Sequence, residues 1–203
     1  MDDERSRAMQ PNSELVARAC CFAKSAHDAM GQRRKYSGAP YWVHPQAVAE
    51  RVAMVTDDET MIAAAWLHDV LEDTPVSVGE LRAKFGERVA ALVLELTNIS
   101  CYSDGNRSVR KRIDREHTAR AQPDAKTIKI ADVIDNVTAI VENDPGFARI
   151  YLIEKAMQLE TLVGGDSSLE AEARRLIRAG LDALGMVYPI ASSSSTNTND
   201  VSN

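Results

Sequence analysis

Two histidines and two aspartates of the sequence have side chains that bind metal ions. They stand at positions where an unpaired charge would cost free energy. His68 and Asp69 are adjacent within AAAWLHDVLEDT, Asp132 lies in the apolar stretch IKIADVIDNV, and His44 directly precedes a proline. A carboxylate among apolar side chains costs several kcal/mol unless it is paired, hydrogen-bonded or bound to a metal. These acids, with imidazoles beside them, therefore predict a divalent-cation site built from the four residues.

The predicted ligand set offers two imidazole nitrogens and two carboxylate oxygens. Such a mixed set suits Mn²⁺ or Fe²⁺, with Zn²⁺ as an alternative, and it argues against a metal selected by thiolates. Four protein ligands leave an octahedral ion two positions for water and a substrate oxygen. An open site of this kind is typical of catalysis rather than of a structural metal.

Three polar side chains lie one helical turn beyond the predicted ligands. Glu72, Asp73 and Asn136 each follow a ligand by four residues, which places them on the same helix face. A carboxylate beside the metal can orient a water molecule and accept its proton. The amide of Asn136 offers both a donor and an acceptor to a ligand or to the substrate. These three residues are the predicted catalytic group.

Two basic clusters stand out in a chain that is acidic overall. The string GQRRKYSG, upstream of His44, contains Arg34 and Lys35, which could bind a phosphorylated small molecule through bidentate and point-charge contacts. The second cluster, residues 107–115, contributes Lys111 and Arg115 as further substrate-binding candidates. A solvated helix face explains this second cluster as well as a substrate role does.

Composition excludes several other functions. The 203 residues include 24 Lys and Arg against 30 Asp and Glu, a net charge of −6, so neither nucleic acid nor an anionic membrane is an expected partner. No apolar run is long enough to span a membrane, and the charged start MDDERSRAMQ does not resemble an export signal. Three cysteines without a CxxC pair favour a reducing, cytoplasmic location. The oligomeric state is left open.

The spacing of apolar residues is helical along most of the chain, and no segment alternates convincingly with a period of two. An all-α fold is therefore predicted, with one domain over residues 10–187, a flexible start at 1–9 and a disordered, Ser- and Asn-rich tail at 188–203. The predicted helices cover residues 12–31, 45–54, 56–74, 77–86, 89–96, 109–121, 123–142, 145–163 and 168–184.

Two predicted helix starts bear on the site. The proline after His44 disfavours the α conformation at His44, so Pro45 is the expected first helical residue and His44 stands just before the helix. Thr56 and Glu59 have the spacing of a capping box, which predicts one continuous helix from there through His68 to residue 74.

Four strings, GQRRKYSGAPYWVHP, AAAWLHDVLEDT, FGERVAALVLELT and TIKIADVIDNV, resemble in order and spacing the hydrolase domain of RelA/SpoT-type HD phosphohydrolases. The resemblance is particularly to the stand-alone small alarmone hydrolases. It implies a single HD-domain helical bundle that removes pyrophosphate from the ribose 3′ position of (p)ppGpp. It also implies Mn²⁺ held by His44, His68, Asp69 and Asp132, water positioned by Glu72 and Asp73, and substrate contacts from Asn136, Arg34 and Lys35.

The chain departs from that family beside the last ligand. Val133 stands where such hydrolases usually carry a basic residue, and Asp135 adds negative charge close by. An adenine counterpart, (p)ppApp, therefore fits as well as (p)ppGpp. A phosphatase or phosphodiesterase acting on other nucleotides, and a regulatory HD module without turnover, are the remaining alternatives.

Overall fold

The computed structural model describes residues 14–138 and 140–189, which are helical apart from short loops and one isolated bridge between Arg33 and Pro40. The all-α prediction is confirmed. Residues 1–9, the start of the first predicted helix at residues 12 and 13, and nearly all of the predicted tail lie outside the described residues, so the domain limits stay predictions. The helices are α1 (Glu14–Ala29), α2 (Val43–Ala53), α3 (Glu59–Leu67), α4 (Val70–Asp73), α5 (Val78–Phe85), α6 (Glu87–Leu96), α7 (Arg107–Ala119), α8 (Pro123–Thr138), α9 (Ile140–Asn143), α10 (Pro145–Leu159) and α11 (Ser167–Ala183), with a 3₁₀ turn at Tyr102–Asp104.

The first turn of α2 contains His44, contrary to the prediction that His44 precedes the helix. The helix begins at Val43, so Pro45 is its third residue. The first backbone N–H groups of a helix have no partner within it, and a proline there sacrifices no hydrogen bond. His44 is thus fixed by regular helical backbone rather than by a loop.

The cap of α3 is Asp58 rather than Thr56, so the predicted capping box is wrong. A carboxylate oxygen of Asp58 accepts from the backbone N–H of Thr60 at 2.9 Å, while the hydroxyl of Thr56 accepts from the N–H of Asp58 at 3.1 Å. A carboxylate satisfies the free N–H groups of a helix start and also complements its positive end.

The continuous helix predicted for residues 56–74 is broken at the predicted ligands. It ends at Leu67, His68 and Asp69 form a turn, and α4 begins at Val70. Neighbouring side chains on an unbroken helix diverge by about 100°. The turn instead brings the imidazole of His68 within 3.3 Å of the carboxylate of Asp69.

Helix α8 lies at the centre of the bundle, packed against α2, α3, α6, α10 and α11. It buries 10 of its 16 residues, including the charged Lys129 and Asp132. Gly165, before α11, lets the chain pass close to this helix, since a Cβ there would lie 2.6 Å from the side chain of Ile130. A largely buried helix therefore carries one predicted ligand. No helix within residues 14–138 and 140–189 is both long and apolar enough to cross a bilayer.

Candidate functional site

The four predicted ligands converge at one point between α2, the α3–α4 turn and α8. The Nε2 atoms of His44 and His68 lie 3.3 Å apart, and Oδ2 of Asp69 lies 3.5 Å and 3.3 Å from them. Oδ1 of Asp132 lies 3.3 Å from Nε2 of His44 and 4.0 Å from that of His68. His44, His68 and Asp69 thus present donor atoms that all lie within 4.8 Å of one another, and Asp132 adds an oxygen beside the two imidazoles.

The hydrogen bonds of the two imidazoles fit a bound cation. Nδ1 of His68 donates to the carbonyl of Ala65 at 2.8 Å, and Nδ1 of His44 donates to the carboxylate of Asp135 at 2.6 Å. In their neutral forms, with the proton on Nδ1, the two imidazoles present Nε2 lone pairs to each other. Two facing lone pairs repel, and a cation between them removes the repulsion.

The electrostatics of the centre also favour positive charge. Burial alone would lower the pKa of His44, yet its hydrogen bonds with Asp132 and Asp135 raise that pKa to about 9. Burial would raise the pKa of Asp132, but the ammonium of Lys129 holds it well below its usual range. The acids remain ionised, and they draw a proton or a metal ion towards the imidazoles.

Lys129 is a site residue that the sequence reasoning missed. It is 7% exposed, and its Nζ lies 2.9 Å from Oδ2 of Asp132, one helical turn further along α8. Lysine is rarely buried unless it is paired. The signal was present, because a lysine interrupts an otherwise apolar stretch three residues before the predicted ligand.

Tyr41 was also missed, since an isolated tyrosine carries no metal-binding signal. Its hydroxyl donates to Oδ2 of Asp69 at 2.7 Å, and its ring packs against the ring of His44 with centroids 5.8 Å apart. The hydrogen bond fixes the direction of the Asp69 oxygen that faces both imidazoles.

We expect Tyr41→Phe to weaken divalent-cation binding by about 10–100-fold, because groups that orient a ligand contribute affinity of that size. Calorimetric titration of metal-free protein with Mn²⁺ measures the change. Tyr188→Phe is the matched control, since that hydroxyl meets Glu160 at 3.1 Å instead of a predicted ligand. Equal affinity of the Tyr41 variant and the unmodified protein would contradict the role given to this hydroxyl.

The predicted water-positioning carboxylates lie beside the centre. Both oxygens of Glu72 accept from Asn98, one from its backbone N–H and one from its side-chain amide, each at 2.7 Å. Glu72 keeps access to solvent, yet the protein packed round its carboxyl raises the pKa of that group, with Lys129 opposing. Burial and the charge of Asp69 raise the pKa of Asp73 as well. A raised pKa makes a carboxylate a stronger proton acceptor.

Asp135 does not add free negative charge, contrary to the expectation from its position. Its Oδ2 accepts from His44 and lies 2.9 Å from Nη2 of Arg34. Asn136 lies between Arg34 and the centre, because its Oδ1 accepts from Nη1 at 3.5 Å and its Nδ2 donates to Asp132. The charge of Asp135 is therefore neutralised within the site.

Two clefts adjoin the centre, and Tyr151 lines both. The first, the Arg34 cleft, has a volume of about 330 Å³ and contains the predicted Arg34, Lys35 and Asn136. The second, the Lys155 cleft, has a volume of about 110 Å³. It is lined by Asn98, Lys111, Asp114, Arg115, Lys129, Tyr151, Glu154, Lys155 and Gln158. Both candidates from the second basic cluster thus line a cavity and are partly buried, rather than forming a fully solvated face.

Comparisons with known proteins agree with this architecture. Residues 19–182 match the family described as HD domain. The "Guanosine-3′,5′-bis(diphosphate) 3′-pyrophosphohydrolase MESH1" of Drosophila melanogaster is 31% identical over 166 residues, which cover 78% of this chain and 91% of that protein. Its counterpart in Xenopus tropicalis is 33% identical over 64% of this chain and 71% of its own.

Other relatives are much longer proteins. The "Probable guanosine-3′,5′-bis(diphosphate) 3′-pyrophosphohydrolase" of Synechocystis is 46% identical over 44% of this chain, and the match spans 11% of that relative's length. A solved structure described as "A metazoan ortholog of SpoT hydrolyzes ppGpp and plays a role in starvation responses" superimposes with a TM-score of 0.74 at 29% identity. That match covers 85% of this chain and 98% of the other. The chain therefore belongs to the HD-domain family, as its sequence motifs indicated.

Proposed function

We propose that this chain is a divalent-cation-dependent hydrolase that removes pyrophosphate from the ribose 3′ position of guanosine 3′,5′-bis(diphosphate). The observation that carries the proposal is the convergence of His44, His68, Asp69 and Asp132 beside two clefts that contain basic side chains. The names of the Drosophila and Xenopus relatives, which this chain matches over most of their length, support the substrate.

The reaction forms a bond between a water oxygen and the phosphorus attached to ribose O3′, and it breaks the bond from that phosphorus to O3′. The divalent cation, when bound, supplies a Lewis acid for the phosphoryl oxygens and lowers the pKa of water. Glu72 accepts a proton from the attacking water, and Asp73 supports its orientation. The departing O3′ ends with a proton, giving a free 3′ hydroxyl and pyrophosphate.

The Arg34 cleft is the proposed place for the nucleoside. Phe147 and Tyr151 form an aromatic wall, with ring centroids 5.4 Å apart, on which a base can stack. The guanidinium of Arg34 and the amide of Asn136 face the centre from this cleft and are placed to bind the ribose 3′ region. Because Val133 stands where such hydrolases usually carry a basic residue, (p)ppApp belongs to the proposal beside (p)ppGpp.

The identity of the metal ion and the cellular compartment are also part of the proposal. Two nitrogen and two oxygen donors support Mn²⁺, with Fe²⁺ or Zn²⁺ as alternatives. A reducing cytoplasm agrees with Cys20, Cys21 and Cys101, all of which are free thiols in the structure. The proposed partner is a small phosphorylated nucleotide.

Purified protein supplied with Mn²⁺ is expected to release pyrophosphate from ppGpp or ppApp, and a chelator is expected to abolish the release. The assay compares these two nucleotides with 5′ nucleotides and cyclic nucleotides, and it measures pyrophosphate and orthophosphate separately. Faster turnover of a nucleotide without a 3′ phosphate would replace the proposal by a different phosphoesterase. No turnover of any substrate by metal-loaded protein would favour a regulatory HD module.

A further inference from the structure

The Lys155 cleft carries more positive charge than its surroundings neutralise. Its lining includes two acids, and each forms hydrogen bonds with residues other than the cations of the cleft. Asp114 accepts from the backbone N–H groups of Ile99 and Ser100 at 3.2 and 3.0 Å and from the Ser100 hydroxyl at 2.9 Å. Glu154 forms a two-bond pair with Arg107, both bonds being 2.8 Å. Arg107 thus balances the charge of Glu154, and Asp114 alone cannot balance the three cations Lys111, Arg115 and Lys155.

Three cations of the cleft lack a carboxylate partner in the part of the chain that the structure describes. Among the described residues, no carboxylate oxygen lies within 4.0 Å of the charged nitrogens of Lys111, Arg115 or Lys155. The ammonium of Lys155 donates to the side-chain oxygen of Gln158 at 3.1 Å and lies 5.3 Å from the ring centre of Tyr151. Burial, with the nearby charges of Lys129 and Lys111, outweighs the opposing charges of Asp132 and Glu154 and lowers the pKa of Lys155 to about 8. A bound anion would remove this electrostatic cost.

The cleft also has a defined relation to the predicted metal centre. Lys129 lies one helical turn before Asp132 and lines the Lys155 cleft, while Asn136 lies one turn after Asp132 and lines the Arg34 cleft. Seven residues of helix separate the two by about 10 Å along the axis. Asn98, which holds both oxygens of Glu72, lines the Lys155 cleft too. Glu72, the proposed proton acceptor, thus lies on the side of the metal centre away from the Arg34 cleft, where the nucleoside is proposed to bind.

We propose that the Lys155 cleft binds the terminal phosphate of the 3′ pyrophosphoryl group and retains the pyrophosphate after the bond to O3′ breaks. This inference rests on the proposed function. It adds that the Lys155 cleft recognises the terminal 3′ phosphate of the substrate. Attack from the Glu72 side displaces the ribose oxygen towards the Arg34 cleft, so the two products separate into different cavities. The cleft volume of about 110 Å³ greatly exceeds the roughly 10–15 Å³ that one water needs.

The test uses Lys155→Met and Arg115→Met with two substrates that differ only in the terminal 3′ phosphate, ppGpp and guanosine 5′-diphosphate 3′-monophosphate. We expect each variant to lower kcat/KM for ppGpp by about 10–100-fold, the usual loss for a hydrogen bond to a charged group. We expect the inhibition constant of inorganic pyrophosphate to rise by a similar factor. The rate on the 3′-monophosphate is expected to change less than about twofold.

Controls separate this inference from the proposed function. Lys84→Met removes an exposed cation outside both clefts and is expected to leave every rate unchanged. Thermal unfolding verifies that the Lys155 and Arg115 variants fold. If the unmodified protein hydrolyses neither ppGpp nor ppApp, the proposed function fails, while calorimetric binding of pyrophosphate still tests the cleft. Equal losses on both substrates, or an unchanged inhibition constant, would overturn the inference. So would a loss that vanishes with a substrate lacking the 5′ phosphates, because the cleft would then bind those phosphates instead.

Discussion

Replacing Asp69 by alanine is expected to lower kcat by roughly 10³-fold or more and to abolish stabilisation of the fold by divalent cations. Oδ2 of Asp69 lies within 3.5 Å of both imidazole nitrogens, so its loss removes a charged ligand from the middle of the donor set. The ion contributes several kcal/mol of transition-state stabilisation, and each 1.36 kcal/mol corresponds to about a tenfold change in rate.

The loss of ion binding is measured independently of turnover. An ion present at about 100 times its dissociation constant stabilises the unmodified protein by about 2.7 kcal/mol, which raises the melting temperature, and the variant is expected to show no such rise. Thermal unfolding of the variant without metal verifies that it still folds, since Asp69 also accepts the hydrogen bond of Tyr41. Asp57→Ala, at an exposed position outside the site, is the control. A variant that keeps its activity and its metal-induced stabilisation would refute the assignment of Asp69 as a ligand.

Glu72→Gln is expected to lower kcat by about 10²–10⁴-fold while metal affinity stays unchanged, which is the effect of removing a proton acceptor. Glutamine keeps one oxygen for Asn98, so the contacts that orient the side chain are largely retained. The pKa of Glu72 is raised by its surroundings, so the rate of the unmodified enzyme should fall on acidification at a pH above the usual glutamate range. That acid limb should disappear in the variant.

Glu95 provides a closely matched control for Glu72. Its two oxygens accept from the backbone N–H and the side-chain amide of Gln122, each at 2.8 Å, which repeats the pairing of Glu72 with Asn98. Glu95→Gln therefore imposes the same chemical change on the same kind of contact away from the predicted ligands, and it should leave kcat unchanged. A similar loss in both variants would show that the Glu72 effect is structural.

The sequence predicted the helical fold and several helix starts, although the signals at Thr56 and Pro45 placed two starts wrongly. Ser77 caps α5 by accepting from the N–H of Glu80 at 3.2 Å, as its spacing indicated. The break at His68 and Asp69 was not predictable in the same way, because neither residue is a strong helix breaker and the surrounding pattern stays apolar. The contacts of His68 and Asp69 with His44, 24 or more positions away, outweigh helix propensity there.

Residue types also predicted which side chains the structure brings together, since buried acids and imidazoles need compensation wherever they occur. They did not reveal the residues that hold those ligands in place. An isolated tyrosine such as Tyr41 carries no metal-binding signal, whereas Lys129 left one, because it interrupts the apolar stretch before Asp132. Asp135 was expected to add free negative charge. Its ion pair with Arg34 could not be predicted, because the two residues are 101 positions apart in the sequence.

The pair formed by Lys129 and Asp132 limits which ions the centre can hold. Lys129 pairs with Oδ2 of Asp132, and Asn136 donates to Oδ1, the oxygen beside the imidazoles, so Asp132 is placed to offer an ion one oxygen. Calcium gathers about 6–8 oxygen atoms and often takes two from one carboxylate, whereas smaller transition ions accept two nitrogens and two single oxygens. A buried lysine thus makes the centre a poor match for calcium before any substrate arrives.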